Sequence, residues 1–361
     1  MKVCVVGTRG FPGIEGGVEK HCECIYPLLQ EKAEITVFRR KPYVQKDQEC
    51  PGIQFVDLPS TMIKGVEALL HSFLATVCAI ARKPDVMHYH NIGPALFSLL
   101  PKLFGIPVVM TYHSPNYEHK KWGFFAKNLL KFCEWVALHC SDRIIFVNRF
   151  QMQKYPAWIL EKSVYIPNGI QAPVLSGRMD CLKKYDLEPG RYILSVGRIT
   201  PEKGFHTLVR GFRTAELEGV KLVIAGGVEA ESGYMTQLRT LSAGLPVEFT
   251  GAVFGEELAQ LYANAALFVL ASENEGFPLV LLEAMSHKRN VLVSDIPATR
   301  LVDLSPGDYF PSGDWDVLAN SLRQKLKEDP VRNYDLSGFD WQTVAESVMN
   351  MYRELVSRKM E

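Results

Sequence analysis

The sequence predicts an α/β protein of two parallel-sheet domains facing a cleft, with a terminal helix that crosses back to the first domain. Three observations predict it. Short Val- and Ile-rich runs alternate with longer segments of helical period, as expected of strands buried on both faces and joined by crossover helices. The alternation occurs twice, broken at 168–190 by a turn-rich stretch without apolar period. After the second series, 341–359 places Trp341, Val344, Val348, Met351, Tyr352 and Leu355 along one helical face. A length of 361 residues fits, because single cores stop growing near about 250–300 residues. The expected domains are 1–170, 171–340 and the returning helix 341–361.

In the first series the strand-like runs are 2–6, 34–39, 53–58, 85–90, 107–112, 143–148 and 164–167, with helical segments at 17–30, 61–82 and 123–139. The stretch 65–81, GVEALLHSFLATVCAIA, contains Glu67 and His71. It is shorter than the roughly 20 apolar residues a membrane span needs, so a buried helix is expected. The second series has runs at 192–197, 220–225, 247–250, 266–271 and 290–294, with helices at 204–217, 256–264 and 278–287. Asp314 precedes the helix-like run 315–328 and suits its N-cap. That reading outweighs a metal-binding D-x-D at Asp314–Asp316.

The composition, 47% hydrophobic and 22% charged, excludes disorder, collagen and coiled coil. The formal charge is zero, from 40 Lys+Arg and 40 Asp+Glu. Residues 1–170 hold 20 cationic against 14 anionic groups, a net +6, and residues 171–361 hold 20 against 26, a net −6. Such asymmetry marks an anionic partner for one half or simple variation between two domains. Met1–Val6 runs directly into a strand with no secretory h-region, and eight scattered cysteines then read as reduced thiols of a cytoplasmic protein. Cys22 and Cys24 lack a second pair at zinc-site spacing, so no metal is expected.

Four motifs stand just after strands, where ligands of open α/β sheets bind. The loop GTRGFPGIEGGVE, 7–19, carries five glycines before a helix. Glycines permit close backbone approach to an anion and a helix N-terminus attracts one. GRITPEKG, 197–204, sets Arg198 and Lys203 around a turn, a planar fork and a point charge suited to a diphosphate. EGFPLVLLE, 275–283, sets Glu275 in a loop and Glu283 among apolar neighbours in a helix that Pro278 opens. A carboxylate there must meet a partner, a sugar or ribose diol or a neighbouring cation. Finally His113 ends the run TYH, with the cation–aromatic segment YEHKKW at 117–122 downstream.

In this order the motifs resemble the family 4 retaining glycosyltransferases of the GT-B fold. The shared elements are GGVE at 16–19, IPNGI at 166–170, GRITPEKG at 197–204, VIAGG at 223–227, FTGAV at 249–253 and EGFPLVLLEAM at 275–285. GTRGFPGIEGGVEKH and HKKWG look like bacterial polysaccharide glycosyltransferases, including rhamnosyltransferase-type members. The run Gly226-Gly227-Val228 departs from the usual G-x-G, and no Glu follows the 290–294 strand near Pro297–Arg300.

The resemblance implies a metal-independent transferase with His113, Arg198, Lys203 and Glu275 as catalytic residues. Gly16, Gly17, Gly276, Phe277, Pro278, Leu279 and Glu283 would join them on the donor, Glu283 holding its ribose and Gly17 closing on its diphosphate. Glu19, Tyr112, Lys120, Lys121 and Trp122 would meet the acceptor. The donor would be a nucleotide-diphosphate sugar, UDP-linked first, with GDP- and dTDP-sugars open. The acceptor would be a glycan or lipid-linked glycan, with peripheral binding to an anionic inner leaflet, and no nucleic acid is implied. Two other readings compete: an NADP-dependent oxidoreductase with Arg39 and Arg40 on a 2′-phosphate, and a non-catalytic glycan-binding subunit.

Overall fold

The structure, a computed structural model, describes residues 1–14, 16–44, 49–61, 63, 66–115, 123–173, 177–228 and 233–360. It divides into two units, Met1–Gly169 with Phe339–Glu361, and Ile170–Gly338.

The first unit is built on seven parallel strands, β1 (Lys2–Val6), β2 (Glu34–Arg40), β3 (Ile53–Leu58), β4 (Val86–His90), β5 (Val108–Tyr112), β6 (Arg143–Phe146) and β7 (Ser163–Tyr165), in the order β3-β2-β1-β4-β5-β6-β7. Its strands are covered on both faces, as their continuous apolar runs require. One face carries Cys4, Val6, Met87, Tyr89, Met110 and Tyr112 against Ala75 and Ala79 of the helix Val66–Ala81 and Ala137 and Leu138 of the helix Phe124–Cys140. The other carries His88, His90 and Thr111, and is covered by the helices Gly17–Leu29 and Trp341–Met360, whose Tyr26 and Tyr352 both hydrogen-bond His88. The terminal helix buries the predicted stripe Trp341, Val344, Val348, Met351, Tyr352 and Leu355.

The second unit has six parallel strands, β8 (Tyr192–Val196), β9 (Lys221–Ala225), β10 (Val247–Gly251), β11 (Leu267–Leu270), β12 (Val291–Asp295) and β13 (Tyr309–Pro311), in the order β10-β9-β8-β11-β12-β13. The helix Phe205–Ala215 turns Phe205, Leu208, Val209 and Phe212 into its core. Asp314 is an N-cap, its Oδ1 accepting from the Val317 amide at 2.9 Å.

The structure corrects three expectations. The 65–81 stretch is not a buried helix. It lays the small and polar residues His71, Ser72, Ala75, Thr76 and Ala79 on the sheet and turns out Val66, Leu70, Phe73 and Val77, which are 43–50% exposed. Small side chains bring the helix close, and the Ser72 and Thr76 hydroxyls donate to carbonyls four residues back, at 2.6 and 2.7 Å, which satisfies those two groups. The 168–190 stretch holds a short helix, Asp180–Lys184, anchored by buried Cys181 and Leu182. A final strand, β13, was not among the expected runs; it has three residues and ends in Pro311, which fits a sheet edge. No helix among the described residues is long and apolar enough to cross a membrane.

Candidate functional site

In the second unit β8 ends at Val196, and the chain turns through Gly197, Arg198 and a 3-10 turn, Pro201–Lys203, into the helix Phe205–Ala215. Gly204 makes this possible. Its φ is +64°, and a Cβ there would stand 2.0 Å from the Ala271 carbonyl oxygen. That close approach sets the turn beside the loop after β11. The Lys203 ammonium donates to Glu275 Oε1 at 2.6 Å, and Ser272 Oγ donates to the same oxygen at 2.7 Å. The two side chains are 17% and 9% exposed. Glu273 continues this seam, its amide donating to the Glu202 carbonyl at 2.8 Å and its carboxylate lying 3.5 Å from His206 Nε2.

Gly276, Phe277 and buried Pro278 lead into the helix Leu279–Ser286, with Pro278 at its N-cap, one residue later than expected. Glu283 accepts from the Tyr262 hydroxyl at 2.9 Å, and burial, then Glu283, raises the Tyr262 pKa well above its ordinary value. Lys203 and Glu275 are thus brought into direct contact, Arg198 shares their turn, and Glu283 stands apart on the following helix. The turn after β8 carries Arg198 and the Lys203 ammonium, and the loop after β11 leads into a helix N-terminus, groups of the kind that bind a diphosphate.

In the first unit the glycine loop follows β1. Gly7 has φ +113°, and a Cβ on it would lie 2.4 Å from the His90 carbonyl oxygen, so the ends of β1 and β4 approach closely. Glu19, in the first turn of the next helix, closes the loop by accepting from the Arg9 amide at 3.0 Å and its Nε at 3.2 Å. At 5% exposure that carboxylate needs a cation, so Glu19 clasps the loop rather than offering itself to an acceptor. Gly16 precedes the helix with φ +145°, and a Cβ on Gly17 would meet nothing within 4 Å.

Tyr112 is also corrected. It is 1% exposed, and its hydroxyl donates to Glu134 Oε1 at 2.5 Å, with Tyr155 donating to the same oxygen at 2.7 Å. Side chains alternate along a strand, so Tyr112 and its neighbour His113 cannot serve one site. Lys120, Lys121 and Trp122 lie outside the described residues. Arg39 and Arg40 are 6% exposed, Arg39 bound by Asp57 at 2.7 Å and Arg40 3.6 Å from Glu67. Neither is placed for a 2′-phosphate, which removes the oxidoreductase reading.

His113 lies in a polar cluster that the sequence reading missed. Its Nε2 is 3.0 Å from His90 Nδ1, and His90 Nε2 is 2.6 Å from the Tyr26 hydroxyl. His88 Nε2 is 2.8 Å from Thr111 Oγ1, and its Nδ1 is 2.5 Å from the Tyr352 hydroxyl. His21 Nδ1 is 2.7 Å from Asn168 Oδ1. Burial lowers the pKa of His21 to about 4 and of His88 to about 3, and holds His90 and His113 well below the ordinary value. All four are therefore neutral at pH 7. The available signal was His88-x-His90 on one strand and Thr111-x-His113 on the next, alternate positions that must share a face.

Residues 15–172 match the description Glycosyltransferase Family 4, and residues 182–334 match Glycosyl transferases group 1. A phosphatidyl-myo-inositol mannosyltransferase of Mycobacterium leprae is 28% identical, over 99% of this chain and 98% of its own length. The fold is shared with a sucrose-phosphate synthase of Thermosynechococcus elongatus, with a TM-score of 0.83 at 21% identity and 99% of both chains covered. Anabaena Alr3699/HepE, solved in complex with UDP and glucose, superposes with a TM-score of 0.78 at 18% identity, over 98% of this chain and all of its own.

Proposed function

We propose a donor, an acceptor class and residue roles for a chain that belongs to glycosyltransferase family 4 and transfers a sugar from a nucleotide-sugar donor. The donor is a UDP-sugar, held by the second unit. The observation that carries this reading is the Lys203–Glu275 contact at 2.6 Å beside Arg198. Cleaving a sugar–phosphate bond builds negative charge on the leaving diphosphate and positive charge on the sugar ring. Arg198 and Lys203 answer the first, and preorganised donors of this kind are worth about 3–4 kcal/mol each. Glu275 faces the sugar and orients Lys203, Glu283 takes the ribose hydroxyls, and Gly16, Gly17 and the 276–279 backbone receive the donor. The transfer retains anomeric configuration on a front-face path, in which the leaving phosphate accepts the proton of the acceptor hydroxyl and no metal takes part. His113, neutral, hydrogen-bonds the transferred sugar. The UDP of the Anabaena complex supports the choice of base.

The acceptor is a lipid-linked glycan at a membrane surface. Two helices on one face of the first sheet support this. Val66–Ala81 turns out Val66, Leu70, Phe73 and Val77, and Phe124–Cys140 turns out Phe125, Leu129, Phe132 and Trp135, the last four 45–87% exposed. Trp135, His139 and Trp158 continue the row ring to ring, with the Lys162 ammonium 5.4 Å from the Trp158 ring. Large apolar and aromatic side chains turned outward beside lysines suit the interface of an anionic bilayer, and the Mycobacterium relative is named for a phosphatidyl acceptor.

Two measurements test the reading. Nucleotide release from a panel of UDP-, GDP- and dTDP-sugars, with lipid-linked acceptors, should show turnover with a UDP-sugar that Glu275→Gln lowers about 100- to 1,000-fold. Consumption of a GDP- or dTDP-sugar instead would overturn the base. Vesicles with anionic lipid should bind the protein more than neutral ones, less in high salt, and less with Phe125→Glu and Phe132→Glu. Equal binding to both kinds would remove the membrane.

A further inference from the structure

The structure assigns a binding site to the histidine cluster itself: we propose that His21, His90 and His113 form a three-nitrogen site for a divalent transition metal ion of the zinc class, whose occupation withdraws His113 from sugar transfer. The binding half stands without any view of the reaction, and the inhibition rests on the role proposed for His113.

One nitrogen of each ring converges, and the three lie within 4.8 Å of one another. Tetrahedral zinc with nitrogens at 2.0–2.1 Å needs them about 3.3 Å apart, and one pair, His90 Nδ1 and His113 Nε2, stands at 3.0 Å. The ring centroids are 4.9 to 5.5 Å apart, so small side-chain rotations close the rest.

The second observation is His21 Nε2. It is buried, and it has no hydrogen-bond partner among the described residues. The ring is 2% exposed, and its other nitrogen meets Asn168 Oδ1, which can only accept. His21 therefore carries its proton on Nδ1 and turns a bare lone pair toward the other two rings. An unsatisfied buried acceptor is costly, and a cation is what such a lone pair binds.

The outer contacts are those of a metal site as well. Ligating histidines donate their second N–H to an oxygen, which fixes ring and tautomer. Asn168 Oδ1 does this for His21, and the Tyr26 hydroxyl stands 2.6 Å from His90 Nε2 to do it for His90. His113, 9% exposed, is the ring nearest solvent, and a water would complete the fourth position. A nitrogen already on the ion cannot bond a sugar hydroxyl.

Equilibrium dialysis of the full chain against zinc should find one ion held per chain. Cobalt substituted for it should give the d–d spectrum of a nitrogen-bound tetrahedral ion without thiolate charge transfer. His21→Asn should weaken zinc by about 100-fold, since even outer-contact changes cost 10–100-fold. The zinc concentration that halves nucleotide release should rise in parallel. No stoichiometric zinc, a thiolate band, or full affinity in the His21→Asn chain would overturn the site. The cobalt spectrum of the unmodified chain decides the matter if that variant does not fold. Zinc held by the three histidines with turnover unchanged would overturn the withdrawal of His113 and keep the site. Absence of any turnover, with zinc bound, would count against the transfer reading and not against the metal.

Discussion

The two units both gather polar side chains at the ends of their central parallel strands, and they bury them in opposite ways. In the second, Lys203 meets Glu275 while both side chains keep some contact with solvent. In the first, His21, His88, His90 and His113 are almost wholly buried and bear no charge at pH 7. A charged pair can answer the charge of a diphosphate. A neutral cluster cannot, but it can hydrogen-bond hydroxyls or bind a cation without first losing protons. The difference teaches that net charge does not describe a site: residues 171–361, with a net −6, contain the Lys203–Glu275 pair, and residues 1–170, with a net +6, contain the uncharged cluster.

Acid should break this comparison most strongly. The folded pKa values of the cluster lie below the unfolded value near 6.5, as does that of His71 at about 4, while in the second unit His287 is depressed as well, to about 4. The unfolded chain then binds more protons, so stability is full above about pH 6.5 and is lost as pH falls toward 4. Each histidine costs on the order of 1 kcal/mol per pH unit in that window. Hydrogen exchange at pH 5 should lose protection in β4 and β5 well before β11 and β12. Equal loss in both sheets would erase the contrast.

Glu275→Gln should follow, lowering turnover about 100- to 1,000-fold at nearly unchanged melting temperature. A comparable loss of stability would make the pair structural. Tyr352→Phe removes one hydroxyl from His88 and should cost about 1 kcal/mol in urea unfolding, with Tyr26 still in reach at 3.0 Å. The smallest effect on the fold belongs to Gly17→Ala. Open space around it predicts a stability change within about 0.5 kcal/mol, while KM for the donor rises. An unchanged KM would remove Gly17 from the donor contacts.

The repeated strand–helix alternation was legible because buried parallel strands need continuous apolar runs. The motifs holding Arg198, Lys203 and Glu275 stood out because short motifs at strand ends carry their own chemistry, but the direct Lys203–Glu275 contact did not, since nothing local pairs residues 72 positions apart. The histidine cluster was obscured by a linear reading. His113 was weighed alone, although His90 and Thr111 are register partners across β4 and β5, and His21, Asn168 and Tyr352 join from distant segments. Glu19 and Tyr112 were misjudged for a related reason: local position says nothing of the Arg9 and Glu134 that bind them. The helix at 65–81 failed because apolar content was equated with burial, whereas its small residues face in.

The terminal helix also sets an order of assembly. Trp341 lies against Gly169, where a Cβ would come 2.6 Å from the indole, and Tyr352 meets His88 across 264 positions of sequence. The second unit is one uninterrupted stretch, whereas the first is split around it. During synthesis the second unit is therefore complete while one face of the first unit's sheet still lacks one of its two covering helices. Domains commonly finish in the order they are made; here the one begun first must be the last to close.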